Sequence, residues 1–179
     1  MGTQRLDFAE FYREARDDCL RTVLVSVGDR DTAQDLVDEA FARACATWRT
    51  VSRHPAPQAW VVRTALNVGV SRWRRRHREV PVADPAGLGG LKGVTGPGAS
   101  GASGGIPGPV DPPVMAALLR LPARQRQVVA LRLFLDLDTA RTAEVLGISP
   151  SAVKAHLARA LAALRNDLMP VQPLETHHE

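Results

Sequence analysis

Cysteine is scarce. Cys19 and Cys45 are the only two among 179 residues, they form no C-x-x-C pair, and no His/Cys spacing suits a metal ion. A disulfide framework, a metal site and a cofactor are therefore not expected. Both cysteines fall within apolar helical patterns, which predicts two thiols packed in the core. The chain also lacks a basic-plus-apolar leader and any apolar run of about 18 residues, so the expectation is a soluble cytoplasmic protein without membrane insertion. No Gly-rich phosphate loop opens a helix after a strand, and no set of residues forms an activated nucleophile. Catalytic residues are not expected. The chain is read as a non-enzyme.

What is present is apolar material for cores, 45% of residues, and a formal charge of +4 with a pI near 9.8. The charge is unevenly spread. Residues 1–80, 81–113 and 114–179 carry 14, 1 and 8 Lys plus Arg against 11, 2 and 6 Asp plus Glu. Residues 63–78 hold six arginines and no acid. A local stripe of this kind points to a polyanion more strongly than the net charge does.

The periodicity predicts an all-α protein of two small helical domains. In residues 7–27, Phe8, Phe11, Tyr12, Ala15, Cys19, Val23 and Val27 recur at steps of three and four, the mark of one helix face. Gly28 to Arg30 ends that helix, and Asp31 with Gln34 resembles a capping box for the next. That second helix sets Leu36, Val37, Ala40, Phe41, Ala44, Cys45 and Trp48 on one side and Asp35, Asp38, Glu39 and Arg43 on the other. A loop over 49–58 leads to a third helix from about Ala59 to Arg78, which ends in "RWRRRHR". Five arginines in those seven residues exceed what the helix dipole accounts for, because its effect fades within one turn. Polyanion contact is the stronger reading.

Residues 1–80 thus form one domain. Residues 81–113, with "GLGGLKGVTGPGASGASGGIPGP", contain almost no charge or aromatic side chain. They are expected to be a flexible tether. Residues 114–169 form the second domain and 170–179 a polar tail containing His177 and His178. Neither domain shows an obvious extra apolar face, so the two are expected to be mechanically independent.

In the second domain, "TARTAEVLGISPSAVKAHLARALAALR" interrupts a helical pattern once, at Gly147 to Pro150. So short a turn forces the helices to cross steeply, as in a helix-turn-helix. Ala143 permits the close crossing, Gly147 suits a left-handed position, Ile148 and Val153 plug the angle, and Ser149-Pro150 are N-cap and N1. The second helix is expected to bury Val153, Leu157 and Leu161. Ser151, Lys154, Ala155, His156 and Arg159 then face outward, where Lys, His and Arg suit phosphates and base edges.

With both domains in place the sequence resembles the extracytoplasmic-function (ECF) sigma factors of the sigma-70 family. "DTAQDLVDEAFARACATW" resembles their region 2.2, "PQAWVVRTALNVGVSRWRRRHRE" regions 2.3 to 2.4, and "LPARQRQVVALRLFLDLDTARTAEVLGISPSAVKAHLARALAALR" region 4. The resemblance implies a sigma subunit for core RNA polymerase that gives it promoter specificity. It implies that region 2 binds the clamp helices of the β′ subunit, here through Asp35, Asp38, Glu39 and Arg43. The −10 element would fall to Arg63, Asn67, Ser71, Arg74 and Arg75, with Ser52, Arg53 and His54 shaping a pocket for an extruded base. Region 4 would bind the −35 element through Ser151, Lys154, Ala155, His156 and Arg159, and the β flap. An anti-sigma factor is a further candidate partner.

The chain departs from the family pattern in three ways, one of them a tether richer in glycine than is usual. Thr142 stands where an aliphatic residue is usual, and Ala155 and Ala158 offer no donors on the reading helix. The alternative function is a stand-alone regulator that binds duplex DNA through residues 137–165. It leaves the acidic helix and the arginine helix without a role.

Overall fold

The computed structural model describes residues 7–77 and 111–169, and every regular element among them is a helix. The tail at 170–179 and nearly all of the expected tether lie outside the described residues. The last residues of that tether, Pro112 and Pro113, already begin a helix.

The first lobe comprises α1 (Phe8–Val27), α2 (Arg30–Ala46), a one-turn α3 (Trp48–Val51) and α4 (Pro57–His77). Helix α3 occupies the start of the segment expected to be loop. Helix α2 begins earlier than the sequence suggested, because Asp29 rather than Asp31 is its N-cap: the Thr32 N–H donates to the Asp29 carboxylate at 2.8 Å. Hydrogen bonding to the Thr32 side chain first, and then to its backbone N–H, holds the Asp29 carboxyl below its ordinary value.

Phe8, Phe11, Tyr12, Phe41 and Trp48, most of the aromatic residues, gather where α1 meets the end of α2. Phe11 stacks on Trp48 at 5.0 Å between ring centroids, and Tyr12 meets Phe41 edge-on at 4.9 Å. Such pairs add about 0.5–1.5 kcal/mol each beyond their burial. Helix α4 lies close on α2 because position 69 is glycine. A Cβ there would come within 3.1 Å of the Leu36 Cδ1 atom.

Cys19 is fully buried, and burial, reinforced by the neighbouring Asp18 charge, pushes its thiol far above the ordinary range. It is inert packing. Cys45 is exposed, contrary to the expectation of two core thiols. It follows Ala44 by one position, which turns it about 100° away from the buried stripe.

The second lobe comprises α5 (Pro112–Arg120), α6 (Ala123–Phe134), α7 (Thr139–Leu146) and α8 (Pro150–Leu168). The turn between α7 and α8 has the expected chemistry. Gly147 sits at φ 64°, the Ile148 N–H reaches back to the Ala143 carbonyl at 3.1 Å, and Ser149 Oγ accepts from the Ala152 N–H at 3.2 Å. This is a Schellman stop followed at once by an N-cap. Thr142 is buried, and its hydroxyl faces the Leu137 carbonyl at 3.5 Å, so the polar atom in this aliphatic position has a partner. Helix α8 buries Val153 and Ala160 and half-buries Leu157. Leu161 is 51% exposed rather than buried.

The lobes are not independent. From Thr22 to Val27 every residue of α1 is buried, so this half-helix is covered on all sides. One side packs into the first lobe. On the other, Val25 lies in a cluster whose remaining members, Leu118, Leu121, Val129, Ala130 and Ala160, all come from the second lobe. Thr22 and Ser26 are buried with their hydroxyls turned back onto the Asp18 and Thr22 carbonyls, at 2.7 and 2.6 Å, so the helix satisfies both within itself. The Arg21 guanidinium lies 6.0 Å from the centroid of the Phe134 ring. The extra apolar face missing from the sequence reading is this side of α1.

Replacing Asp29 by alanine is expected to cost about 1 kcal/mol at neutral pH. Because the folded-state pKa is depressed, this stability is fully present above the unfolded value near about 3.9 and is lost as pH falls through the folded one. Chemical denaturation of wild type and Asp29→Ala across pH 2 to 7 checks it: the gap is expected to close only at the acid end.

Candidate nucleic-acid interface

Helix α4 divides cleanly into two faces. Ala59, Val61, Val62, Ala65, Leu66 and Val68 are buried, whereas Arg63, Asn67, Ser71, Arg74 and Arg75 are exposed. Positions 63, 67, 71 and 74 to 75 repeat every three to four residues and so form one line, about 18 Å long at 1.5 Å per residue. That line is cationic and polar without an acid, the composition of a track for a phosphate backbone.

The loop before α4 is tightly bonded. The Ser52, Arg53 and His54 N–H groups donate to the carbonyls of Trp48, Thr50 and Val51. His54 Nδ1 accepts the Ala56 N–H at 3.0 Å. Nδ1 is thereby committed as an acceptor, and Nε2 is left to carry the proton of the neutral ring. Ser52 and His54 are half-buried and Arg53 is exposed. The loop is a rigid shoulder at the start of the arginine line.

On α8, Ser151, Lys154, Ala155 and Arg159 are exposed and His156 is half-buried. Ser151 Oγ and Ser149 Oγ lie 2.9 Å apart, coupling the first outward hydroxyl to the N-cap. Arg159 Nη2 lies 3.3 Å from His156 Nδ1. Burial first, then the Arg159 and Arg124 charges, hold the His156 pKa below its ordinary value. The ring is therefore neutral near pH 7, and its Nδ1 lone pair accepts from the guanidinium. His156 orients Arg159 and adds no charge of its own.

The acidic side of α2 is exposed at Asp35 and Asp38, with Glu39 half-buried. Gln34 Nε2 donates to both Asp38 oxygens at 2.9 Å, and Arg43 pairs with Glu39 at 2.9 Å across one helical turn. Arg43 thus offsets Glu39, and the remaining negative potential is centred on Asp35 and Asp38.

Sequence reasoning did not anticipate that Arg63 and Asn67 also line a cleft of about 190 Å³ between the lobes. Its other walls include Arg124 and Gln127 of α6 and Val145, Leu146 and Gly147 at the helix-turn-helix bend. Among the described residues no group of His, Cys, Asp or Glu could hold a metal ion, and no helix is long and apolar enough to cross a membrane.

Comparison with known proteins bears on both surfaces. The family model described as Sigma-70 region 2 matches residues 11–79, and that described as Sigma-70, region 4 matches residues 113–164. The RNA polymerase sigma-E factor of Streptomyces coelicolor is 32% identical over 166 residues, spanning 92% of this chain and 87% of its own. The ECF RNA polymerase sigma factor SigW of Bacillus subtilis is 24% identical over 165 residues, 90% of this chain and 88% of its own. Among solved structures, the sigma factor RpoE of Bartonella quintana, crystallised with the anti-sigma factor NepR, has a similar fold. The TM-score is 0.61 at 22% identity, covering 91% of this chain and 99% of that one.

The depressed His156 pKa is directly measurable. In a histidine NMR titration the His156 ring is expected to titrate below the ordinary value of about 6.5. Its midpoint should move up in Arg159→Ala, because a repelling charge has been removed. An unchanged midpoint in that variant would show that the two side chains do not interact.

Proposed function

The chain belongs to the sigma-70 family of RNA polymerase sigma factors, in its extracytoplasmic-function group, and from that premise we propose how its surfaces divide the work of initiation. As a sigma factor it binds core RNA polymerase and directs promoter recognition. The observation that carries this function is the ordered pair of matches, region 2 at 11–79 followed by region 4 at 113–164. A regulator acting without polymerase needs only the second.

In the proposed division, α2 docks on core through Asp35 and Asp38, with Glu39 and Arg43 as a paired rim. An exposed carboxylate cluster steers a basic partner and sets its register. The line Arg63, Asn67, Ser71, Arg74 and Arg75 tracks the −10 strand once it is separated. Unstacked bases need a pocket beside a cationic backbone track, and the shoulder at Ser52, Arg53 and His54 lies next to that line in the chain. Helix α8 enters the −35 major groove with Ser151, Lys154, Ala155, His156 and Arg159 foremost. The protein makes no bond in this scheme. It captures a DNA conformation and holds it. An anti-sigma factor fits the same family reading as a further partner.

Run-off transcription with core polymerase across a promoter library, with and without the protein, tests the function. Promoter-specific transcripts are expected only with it. Asp38→Lys combined with Glu39→Lys is expected to weaken holoenzyme assembly with circular dichroism unchanged. A folded variant with full affinity for core would remove α2 from the interface.

Lys154 and Arg159 are expected to fail differently. Lysine is a point charge suited to phosphate, whereas a guanidinium, here oriented by His156, can make two parallel bonds to guanine O6 and N7. Lys154→Ala should weaken binding evenly across −35 variants and lower its salt dependence. Arg159→Ala should relax preference at one base pair by about 1–3 kcal/mol. Binding to single-base −35 variants at two salt concentrations separates the outcomes.

A further inference from the structure

The cleft between α4 and the second lobe is cationic without compensation. Its polar lining is Arg63 and Asn67 from α4 with Arg124 and Gln127 from α6, and no acid lines it. Among the described residues neither Arg63 nor Arg124 pairs with a carboxylate. A cleft of about 190 Å³ is narrower than the salt screening length of about 8 Å, so both guanidiniums act on whatever it holds. Burial lowers the Arg124 pKa, the mark of a cation that water no longer fully solvates.

Gln127 gives a second, independent sign. It is only 2% exposed, and its Oε1 accepts from Arg124 Nη1 at 3.2 Å. That bond turns the oxygen toward the guanidinium. The amide Nε2 then has no acceptor among the described residues. Buried donors are paired as a rule, and the cleft that Gln127 lines is where an acceptor can reach it.

The remaining walls are mostly apolar. Leu66 and Leu146 are buried and Val145 is half-buried. The volume somewhat exceeds the roughly 150 Å³ of a cavity that holds one benzene ring. One ring or short branched chain fits, with its charged head at the arginines.

We infer that this cleft is a binding site for a small phosphomonoester with a short apolar body. Arg63, Arg124 and the amides of Asn67 and Gln127 would hold the phosphate, and Leu66, Val145 and Leu146 the body. A phosphomonoester carries close to two negative charges at neutral pH, which matches two guanidiniums, and three acceptor oxygens, which a carboxylate lacks. The walls come from both lobes, so an occupant stabilises the folded body as a unit.

Titration calorimetry of the full chain with phenyl phosphate tests the site. Inorganic phosphate supplies the head alone, benzyl alcohol the body alone, and benzoate a carboxylate head. Phenyl phosphate is expected to bind at one site, at least tenfold more tightly than each of these. Arg124→Gln should weaken it at least tenfold with circular dichroism unchanged.

A reporter in the wild-type chain needs no substitution. The Arg124 charge is the smallest of the three causes that lower the His156 pKa, after burial and Arg159. A dianion seated on Arg124 offsets that charge, so the His156 midpoint is expected to rise when phenyl phosphate saturates the site. Inorganic phosphate binding as tightly as phenyl phosphate would reduce the cleft to a phosphate contact of the strand line and overturn the proposal. Tighter binding of benzoate, full affinity in Arg124→Gln, or an unmoved His156 midpoint would overturn it as well.

Discussion

The all-round burial of the second half of α1 is the constraint on which the arrangement depends. A helix that serves one small lobe presents one apolar stripe to it and leaves the rest to water. From Thr22 to Val27 this helix has no water-facing side. Its Leu20 and Val23 belong to a cluster shared with α2 and α4 and also with α6, α7 and α8, while Val25 belongs to one otherwise built from the second lobe. One turn of helix therefore fixes where the helix-turn-helix sits relative to the arginine line. The cleft at Arg63 and Asn67 and the exposure of α8 follow from that placement.

Charge and shape act on different faces of the same helices. Helix α4 spends its apolar face on α2, drawn in by Gly69 against Leu36, and this leaves a rigid rod whose opposite face carries the cations. Helix α8 buries Val153 and Ala160 and points Lys154 and Arg159 outward. In both cases the reading side chains stand on an element whose packing fixes their direction. Few donors then suffice for orientation. His156 extends this logic: kept neutral by partial burial and two arginines, it serves as an acceptor that steers Arg159 rather than as a third cation.

Much of this was legible in the sequence because it is local. The turn at Gly147 to Pro150 needs a left-handed residue, a cap and a proline within four positions, and local chemistry alone specifies it. The exposed line on α4 follows from period and composition in the same way. What was not legible is tertiary. Reading α1 for residues at steps of three and four selected Val23 and Val27 and passed over Leu20, Leu24 and Val25, whose excess over a single stripe was the available signal for a second packing face. Leu161 was assigned to the core by the same period. Leu161 stays half exposed on α8, and Ala160 fills the crossing instead. The misplaced cap of α2 arose because Asp29 and Asp31 are both competent, and only backbone geometry chooses between them.

The composition of the seam shows that the two lobes share one core with a local polar defect. Aromatic rings stack within the first lobe, while Val128, Leu131, Leu137, Leu146 and Val153 of the second lobe join the same apolar cluster as the first-lobe core, and Arg21 adds one cation over the Phe134 ring. The seam also holds the polar defect. Arg126 is buried beside Gly28, with Nη1 bonded to the Leu119 carbonyl at 3.0 Å and Nε without a hydrogen-bond partner. Leaving a buried donor unpaired costs about 1–3 kcal/mol. Burying a side chain such as Val25 contributes about 1.5–3 kcal/mol. These opposing terms are of the same size, and burial pulls the Arg126 pKa down because the site resists its charge. That single defect offsets only one of the many side chains buried between the lobes, which therefore hold together as one folded body.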